Sequence, residues 1–219
     1  GNTTKNIKKL EAQYSETGKI ITKALFGQGS NDEKIIGRGV SKSFGIANEG
    51  FDISSIQFAI HYMFENAGIL NEFLVNVAEC TKLGGYFIGT CFDGKKVFNL
   101  LEDKKQNESF IVMDREMKNK LLEINKQYDK DNFPDDISCL GYAVNIYQES
   151  INKTFKEYLV NFNYLSSVLE NYGFVQLNKD EANKIGFNSS QGNFSDMYDL
   201  MNGEIKKDPT KKNDYGIAY

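Results

Sequence analysis

The stretch from Phe51 to Asn66 constrains the fold more than any other part of the chain, and it holds the only histidine. It begins as an apolar run with β-branched isoleucines, which predicts a buried strand over Phe51 to His61. The run then gives way to polar and aromatic side chains, namely His61, Tyr62, Phe64 and Glu65. In parallel sheets, ligands bind beyond the carboxyl ends of the strands. The sequence therefore predicts an α/β fold with a ligand site at the end of this strand.

The segments that follow this strand predict a parallel crossover. Apolar residues recur three and four apart from Leu70 to Ala78, as on the face of a helix that packs against a sheet. Lys82-Leu83-Gly84-Gly85 is expected to end that helix, and Tyr86 to Cys91 is expected to form a second strand. A strand, a helix and a second strand form a right-handed unit in which the two strands run parallel.

Weaker patterns predict the remaining elements. Apolar spacing indicates a helix within Ile7 to Leu25, whereas the charged stretch from Asp114 to Asp136 is expected to be solvated. The apolar positions from Phe155 to Leu169 predict a single helix that ends at Tyr172-Gly173. Other expected elements are a helix from Lys95 to Leu101 and strands at Ser109–Met113, Tyr142–Tyr147 and Phe174–Leu177.

Composition indicates one folded domain rather than a disordered chain, since 40% of the 219 residues are apolar and 13% are aromatic. We expect this domain to span residues 1–177, and a polar, mobile tail to follow over 178–219. The tail contains a basic cluster, Lys206 to Lys212, which is expected to be plainly solvated.

Charge and cysteine content exclude several function classes. A net charge of -4 and a pI near 5.2 provide no general basic field for nucleic acid, so any contact with RNA must be local. Three cysteines without Cys-x-x-Cys spacing indicate neither a disulfide framework nor a zinc site, which favours an intracellular protein. No apolar run approaches the ~20 residues of a membrane helix.

Three segments together resemble the mRNA cap guanine-N7 methyltransferases, particularly the domain found in capping enzymes of large DNA viruses. The resemblance covers about Ile20 to Leu177. The segments are Gln57-Phe58-Ala59-Ile60-His61-Tyr62-Met63-Phe64-Glu65, Gly84-Gly85-Tyr86-Phe87-Ile88-Gly89-Thr90 and Phe155-Lys156-Glu157-Tyr158-Leu159-Val160. The resemblance implies a Rossmann-like class I methyltransferase fold, with a mostly parallel sheet and flanking helices that is incomplete in this chain.

The resemblance also implies an activity and its partners. The activity is transfer of a methyl group from S-adenosylmethionine to N7 of the guanine at the 5′ end of capped mRNA. Triphosphatase and guanylyltransferase domains of the same viral capping enzyme would be partners, whereas DNA and membranes would not. A viral protein of this kind would act in the host cytoplasm or the virion.

The resemblance assigns roles to four residues. His61 and Tyr62 match the family's His-Tyr pair, which lies over the cap guanine and at the edge of the donor's methionine part. Gln57 matches the glutamine that contacts S-adenosylmethionine. Glu157 matches a glutamate whose carboxylate can accept from both guanine N1–H and the exocyclic amine. Methyl transfer to N7 needs no general base, so a proximity mechanism without an acid–base residue or a metal is expected.

Three of these residues have a simpler interpretation when each is considered alone. His61 could cap a strand end with a backbone partner, and Gln57, expected on a buried strand, could link to a neighbouring loop. Glu157 could be a polar residue at the start of a helix, where the helix dipole favours an acid. These alternatives leave the four residues without a shared function.

Both ends of the chain depart from the family pattern. The sequence lacks the family's donor-binding strand with its Asp-x-Gly-x-Gly-type loop, the adenine-binding aspartate and the basic residues for the cap triphosphate. It also lacks the closing strand. One hypothesis is therefore that the chain is the carboxyl-terminal part of a cap methyltransferase domain and does not methylate caps alone. The other is a methyltransferase-like subunit that has lost the donor half and stimulates a catalytic partner.

Overall fold

A computed structural model describes residues 15–209 of the chain. The described residues divide into two compact units, and the division follows Phe174. The first half of the helix predicted from Ile7 and the last part of the basic cluster that ends at Lys212 lie outside the described residues.

The first unit begins with three helices, and each is capped or terminated by a local signal in the sequence. Ser15 accepts a hydrogen bond from Gly18 N at 3.2 Å and thereby caps the first helix. Asp32 caps the second helix in the same way, since it accepts from Lys34 N at 2.9 Å. The helices are α1 (Glu16–Leu25), α2 (Glu33–Ile36) and α3 (Arg38–Lys42).

The predicted parallel crossover is present in the structure. Its elements are β1 (Phe51–Gln57), a 3₁₀ helix (Ile60–Glu65), α4 (Ala67–Cys80) and β2 (Thr81–Thr90). The two strands are parallel, and their last paired residues are Gln57 and Thr90. Leu70 and Leu74 of α4 are buried at 2% and 0% exposure, so the predicted apolar face of this helix does pack into the core.

Three expectations about this crossover are wrong. β1 ends at Gln57, because Phe58 has a φ of 49° and turns the chain out of the strand. Gln57 is exposed rather than buried. Gly85 lies inside β2 and does not end the helix; a Cβ there would lie 2.9 Å from Asp52 O, so glycine permits the close approach of the two strands.

The remaining strands form an antiparallel sheet in the order β3-β4-β5-β6. The sheet is therefore not mostly parallel as expected, since only β1 and β2 pair in parallel among residues 15–209. The connections between β3 and β4 and between β5 and β6 are too short for the crossover that a parallel pair needs, so these strands can pair only antiparallel. The elements are α5 (Gly94–Leu100), β3 (Ser109–Met113), β4 (Lys120–Lys126), a second 3₁₀ helix (Ile137–Cys139), β5 (Ala143–Gln148) and β6 (Lys153–Tyr158).

The stretch from Asp114 to Asp136 is not simply solvated, because β4 lies within it. Ile124 is 4% exposed and Lys126 is 7% exposed. The Lys126 ammonium donates to Leu101 O at 3.1 Å and to Lys104 O at 2.8 Å. These carbonyls lie at the carboxyl end of α5, where the helix dipole favours a cation, and this explains how a lysine can be buried.

The predicted helix over Phe155 to Leu169 divides into a strand and a helix. Residues up to Tyr158 form β6, and α6 spans Phe162–Glu170. Asn161 lies between them, fully buried, and caps α6 by accepting from Tyr164 N at 3.1 Å. The strand predicted from Phe174 to Leu177 does not form.

Two hydrophobic clusters make up the core of the first unit. One is built around Phe64, Leu74 and Leu165, and the other around Leu101 and Val144. The segment after β6 alternates between them: Tyr158 and Val160 belong to the first cluster, and Leu159 belongs to the second. This alternation anchors the end of β6 on two sides.

The second unit contains two helices that the sequence patterns did not predict, α7 (Lys179–Lys184) and α8 (Phe194–Lys207). Each begins with a capping box, formed by Asn178 with Glu181 and by Asn193 with Asp196. Among residues 15–209, none of the helices has the length and apolar character needed to cross a membrane.

Candidate functional site

The first 3₁₀ helix carries two of the predicted site residues and fixes their directions. Ile60 and Phe64 are buried in the first core cluster, at 3% and 0% exposure. His61 is also buried, at 5% exposure, whereas Tyr62 is 42% exposed. The ring centroids of His61 and Tyr62 lie 4.2 Å apart at an interplanar angle of 65°. The short helix therefore presents a buried imidazole next to an accessible phenol ring.

Glu157 reaches the same place from the antiparallel sheet. It lies on β6 opposite Val144 of β5, and two residues later Leu159 N donates to Tyr142 O at 2.9 Å. Its Oε2 lies 3.6 Å from Nε2 of His61, and the Glu157 side chain is 13% exposed. The expectation that Glu157 opens a helix is therefore wrong. The structure does bring Glu157 and His61 together, although they are separated by many residues in the sequence.

The imidazole of His61 lacks hydrogen bonds in the described structure. Both ring nitrogens are buried, and neither has a partner among residues 15–209. The simpler interpretation, a histidine satisfied by the backbone at a strand end, is therefore not supported. Leaving a buried polar atom unsatisfied costs about 1–3 kcal/mol. A ligand that bonds to this ring would recover part of that cost.

Burial dominates the electrostatics of the pair. Burial lowers the pKa of His61 below its usual 6.5, and it raises the pKa of Glu157 from 4.5 to about 6. At pH 7 the imidazole is therefore neutral and the carboxylate is mostly ionised. A carboxylate in such a place favours a ligand that offers N–H donors, and a neutral imidazole can donate one hydrogen bond of its own.

Gln57 and Tyr62 lie at the more exposed side of this region. Gln57 is at the end of β1, where its Nε2 donates to Ser55 Oγ at 2.9 Å and its Oε1 accepts from Thr90 Oγ1 at 2.7 Å. These partners are residues of β1 and β2 rather than His61 or Glu157. The structure thus groups His61, Tyr62 and Glu157, and it places Gln57 at the adjacent strand end.

Several residues around the His61–Glu157 pair were missed by the sequence reasoning. The small cleft that contains the pair is also lined by Phe92, Gly94 and Val160. Gly94 N donates to Val160 O at 3.2 Å, and a Cβ on Gly94 would lie only 2.3 Å from that oxygen. The sequence feature that could have indicated this contact is the glycine directly after Asp93, the residue that caps α5 by accepting from Lys96 N at 3.1 Å.

A larger depression, of about 450 Å³, lies elsewhere and shows no charge preference. The Lys126 ammonium at this depression is already bonded to two carbonyl oxygens. Acidic and basic side chains line it in equal number, namely Glu102, Asp103, Asp129 and Asp131 with Lys104, Lys105, Lys126 and Lys130. It therefore offers no net attraction for an anion. Among residues 15–209, no cluster of three or more His, Cys, Asp or Glu side chains could hold a metal ion.

Comparison with known families shows which family the chain belongs to. Residues 9–217 match the sequence profile of the mRNA (guanine-N(7))-methyltransferase domain. The chain belongs to this family. The resemblance inferred from the sequence motifs is thereby confirmed, and the family supports a Rossmann-like arrangement around the parallel strands β1 and β2.

Relatives of this methyltransferase-family chain include viral and fungal proteins. It is 30% identical to a "Probable mRNA-capping enzyme" of Acanthamoeba polyphaga mimivirus, over 68% of the chain and 13% of that protein. It is 29% identical to the mRNA cap guanine-N(7) methyltransferase of Saccharomyces cerevisiae, over 68% of the chain and 36% of that protein. The Aspergillus niger protein of the same name is 32% identical, over 42% and 17%. The chain thus spans about a third or less of each relative.

Proposed function

We propose that this chain carries the guanine-binding part of an mRNA cap guanine-N7 methyltransferase. The observation that supports the proposal most directly is the buried approach of Glu157 to His61, 3.6 Å apart, with both imidazole nitrogens unbonded among residues 15–209. The Glu157 carboxylate accepts from N1–H and from the exocyclic amine of guanine. His61 donates to the guanine oxygen, and the exposed ring of Tyr62 packs against the purine.

This arrangement selects guanine over adenine. Adenine has an acceptor at N1, so its approach would place a lone pair against the Glu157 carboxylate and leave that charge without a partner. Sites built to hydrogen-bond a ligand reject analogues that lack the donor by about 10⁴-fold or more in favourable cases. Glu157 is therefore the specificity-determining residue of the proposed site.

The proposed mechanism needs positioning rather than acid–base chemistry. S-adenosylmethionine supplies an electrophilic methyl group on a positively charged sulfur. With this donor bound, the N7 lone pair of guanine would form the new N–C bond as the S–C bond broke, and positive charge would move from the sulfur to the purine. The Glu157 carboxylate, hydrogen-bonded to that purine, stabilises the cation that develops. His61 and Tyr62 hold the ring in line with the methyl group, and orientation of this kind can supply several kcal/mol, on the order of 7–11 in the best cases.

Gln57 and Tyr62 are the residues proposed to bind the donor. The Gln57 amide is exposed at the carboxyl end of β1, the edge of a parallel sheet at which ligands bind. Its Nε2 donates one hydrogen to Ser55, which leaves the second hydrogen to face an acceptor on the methionine part of the donor. The residue types at this edge therefore fit S-adenosylmethionine.

Partners and location belong to the same proposal. The mimivirus relative is named as a capping enzyme, and the chain covers only 13% of it. We propose that the chain is part of a longer viral capping enzyme that also has triphosphatase and guanylyltransferase domains. This enzyme would act on 5′-capped mRNA in the host cytoplasm or the virion.

A second candidate function is a non-catalytic subunit that binds and stimulates a capping-enzyme partner. It is favoured by the apolar residues on the uncovered face of β1 and β2, where Ile53, Tyr86 and Ile88 are 57%, 37% and 45% exposed. Parallel strands are usually covered on both faces, so this face suits a protein surface. The same face would serve an enzyme whose remaining part packs there.

Cap binding and methylation assays separate the two functions. The 219-residue chain and the longest polypeptide of its reading frame are each incubated with capped RNA and labelled donor. We expect methylation by the longer polypeptide and none by the chain alone. Methylation by neither would contradict the first function, and turnover by the chain alone would contradict the view that it needs further sequence.

Calorimetric titration tests the guanine site directly. The chain should bind GpppA and not ApppA, and Glu157→Gln should abolish this preference. Glu149→Gln, an exposed glutamate after β5, is the matched control and should leave binding unchanged. Equal affinity for the two dinucleotides in the unmodified chain would refute guanine recognition by this site.

A further inference from the structure

The ends of β1 and β2 are tied together by one hydroxyl group. Thr90 is the last residue of β2 and pairs with Gln57, the last residue of β1. Thr90 Oγ1 donates to Gln57 Oε1 at 2.7 Å and accepts from Phe58 N at 3.2 Å. The Phe58 N–H also donates to Thr90 O at 2.9 Å. A single side chain therefore contacts two consecutive residues at the point where the chain leaves the strand.

The direction of these bonds fixes the orientation of the Gln57 amide. A backbone N–H can only donate, so Thr90 Oγ1 is the acceptor for Phe58, and its own hydrogen remains available for another acceptor. That acceptor is Gln57 Oε1, which turns Gln57 Nε2 toward Ser55 Oγ. The amide consequently presents an N–H donor, and not its carbonyl oxygen, to any ligand at the strand end.

The same hydroxyl supports a strained turn. Phe58 has a φ of 49°, in the left-handed region, which is unfavourable for a residue other than glycine. Such a conformation persists only where neighbouring groups hold it. The Phe58 N–H is held by both the hydroxyl and the carbonyl of Thr90, and three residues later the chain presents His61 and Tyr62. Thr90 therefore helps to hold the turn that leads from β1 into the 3₁₀ helix, whose buried residues Ile60 and Phe64 anchor it in the core.

We propose that Thr90 is a positioning residue that sets the donor-facing orientation of the Gln57 amide and the turn that presents His61 and Tyr62. This inference rests on the proposed function, in which Gln57 binds the methionine part of S-adenosylmethionine. It adds that the ligand atom facing Gln57 is a hydrogen-bond acceptor, such as a carboxylate oxygen. Thr90 itself acts through Gln57 and Phe58 and contacts no reacting atom.

Three variants test this role. Thr90→Val keeps the shape and removes the hydroxyl, whereas Thr90→Ser keeps the hydroxyl and should rescue. Thr81→Val is the matched control, because Thr81 opens β2 at the far end of the pair and its hydroxyl donates to Val77 O at 2.7 Å. Urea unfolding of each variant gives the change in stability, so that loss of fold is distinguished from loss of position.

Nuclear magnetic resonance of the 219-residue chain measures the position of the amide without any ligand. In the unmodified chain and in Thr90→Ser, the Gln57 side-chain hydrogens should give two resolved signals, with a cross-relaxation contact to Ser55. In Thr90→Val we expect that contact to disappear and the His61 ring signals to shift, whereas Thr81→Val should change neither. Unchanged Gln57 and His61 signals in Thr90→Val would overturn the proposal.

Titration of the longest polypeptide of the reading frame with S-adenosylhomocysteine measures the consequence for binding. Loss of an oriented hydrogen bond is worth about 0.5–1.5 kcal/mol, so we expect Thr90→Val to weaken binding by about threefold to tenfold. Unchanged affinity in Thr90→Val, despite altered Gln57 signals, would refute the positioning role. If the unmodified polypeptide binds no S-adenosylhomocysteine, the proposed function fails, and the resonance experiment still decides the role of Thr90.

Discussion

Replacing Glu157 by glutamine should stabilise the folded chain while it removes guanine recognition. The Glu157 carboxylate is 13% exposed, and its pKa is raised from 4.5 to about 6 by burial. Each pKa unit is worth about 1.4 kcal/mol, so the ionised form destabilises the folded chain by about 2 kcal/mol at neutral pH. A glutamine amide has no charge but still loses hydration when it is buried. We therefore expect Glu157→Gln to raise the free energy of unfolding at pH 7.5 by about 1–2 kcal/mol.

The pH dependence of this effect has a defined sign. Because the folded-state pKa of Glu157 is raised, the folded chain binds more protons than the unfolded chain between about pH 4.5 and 6, and stability falls as the pH rises through that window. His61 acts in the opposite direction: its folded-state pKa is lowered, so stability falls as the pH drops below 6.5. Both chains contain His61, so the difference between them isolates the contribution of Glu157.

Urea unfolding at pH 7.5 and pH 4.5 measures this difference. Glu157→Gln should be the more stable chain at pH 7.5, and its advantage should nearly disappear at pH 4.5, where the native carboxyl group is protonated. Glu149→Gln serves as the control, because its exposed side chain should not change the unfolding free energy at either pH. A Glu157→Gln chain that is less stable than the unmodified chain at pH 7.5 would refute the view that Glu157 is retained at a cost to stability.

Three further substitutions test how the core supports the site. Tyr128→Phe should raise the unfolding free energy, by up to about 1–3 kcal/mol, because the buried Tyr128 hydroxyl has no hydrogen-bond partner among residues 15–209. Tyr142→Phe should lower the unfolding free energy by about 1 kcal/mol in the same urea assay, because the Tyr142 hydroxyl donates to Asn132 O at 2.6 Å. Equal effects of Tyr128→Phe and Tyr142→Phe on the unfolding free energy would contradict this reasoning. Gly94→Ala should displace the chain around Val160, because a Cβ would lie 2.3 Å from Val160 O. We expect it to weaken binding of GpppA more than tenfold in calorimetry. Unchanged binding would show that this contact does not support the site.

Local sequence patterns predicted the parallel crossover but not the antiparallel sheet, and β4 shows why. Its sequence is rich in charged residues, and only its pairing with β3 on one side and β5 on the other makes it a strand. Lys126 is buried because carbonyl oxygens at the end of α5 accept from its ammonium group. Those oxygens come from another part of the chain, so no window around Lys126 could indicate its burial.

The β6 region shows a different limit of prediction. Apolar residues at 155, 158, 159 and 162 have helical spacing, but the sheet register places Glu157 opposite Val144 and makes the segment a strand. The motif around Glu157 nevertheless identified it as a candidate partner of His61, and the structure brings their side chains within 3.6 Å. A family motif reflects residues that lie together in the folded protein. It can therefore indicate a site even where the local spacing of apolar residues predicts the wrong secondary structure.

The two halves of the candidate site differ in how firmly the chain holds them. Glu157 precedes a segment packed into both core clusters, and His61 lies between the buried side chains of Ile60 and Phe64. Gln57, in contrast, is exposed at the edge of a two-stranded sheet and is held by side-chain hydrogen bonds to Ser55 and Thr90. Exposed hydrogen bonds open more readily than packed cores. We therefore expect the 219-residue chain to bind the cap guanine by itself. Tight binding of the methyl donor, in contrast, should require further polypeptide that covers β1 and β2. A chain that binds S-adenosylhomocysteine well and GpppA not at all would contradict this expectation.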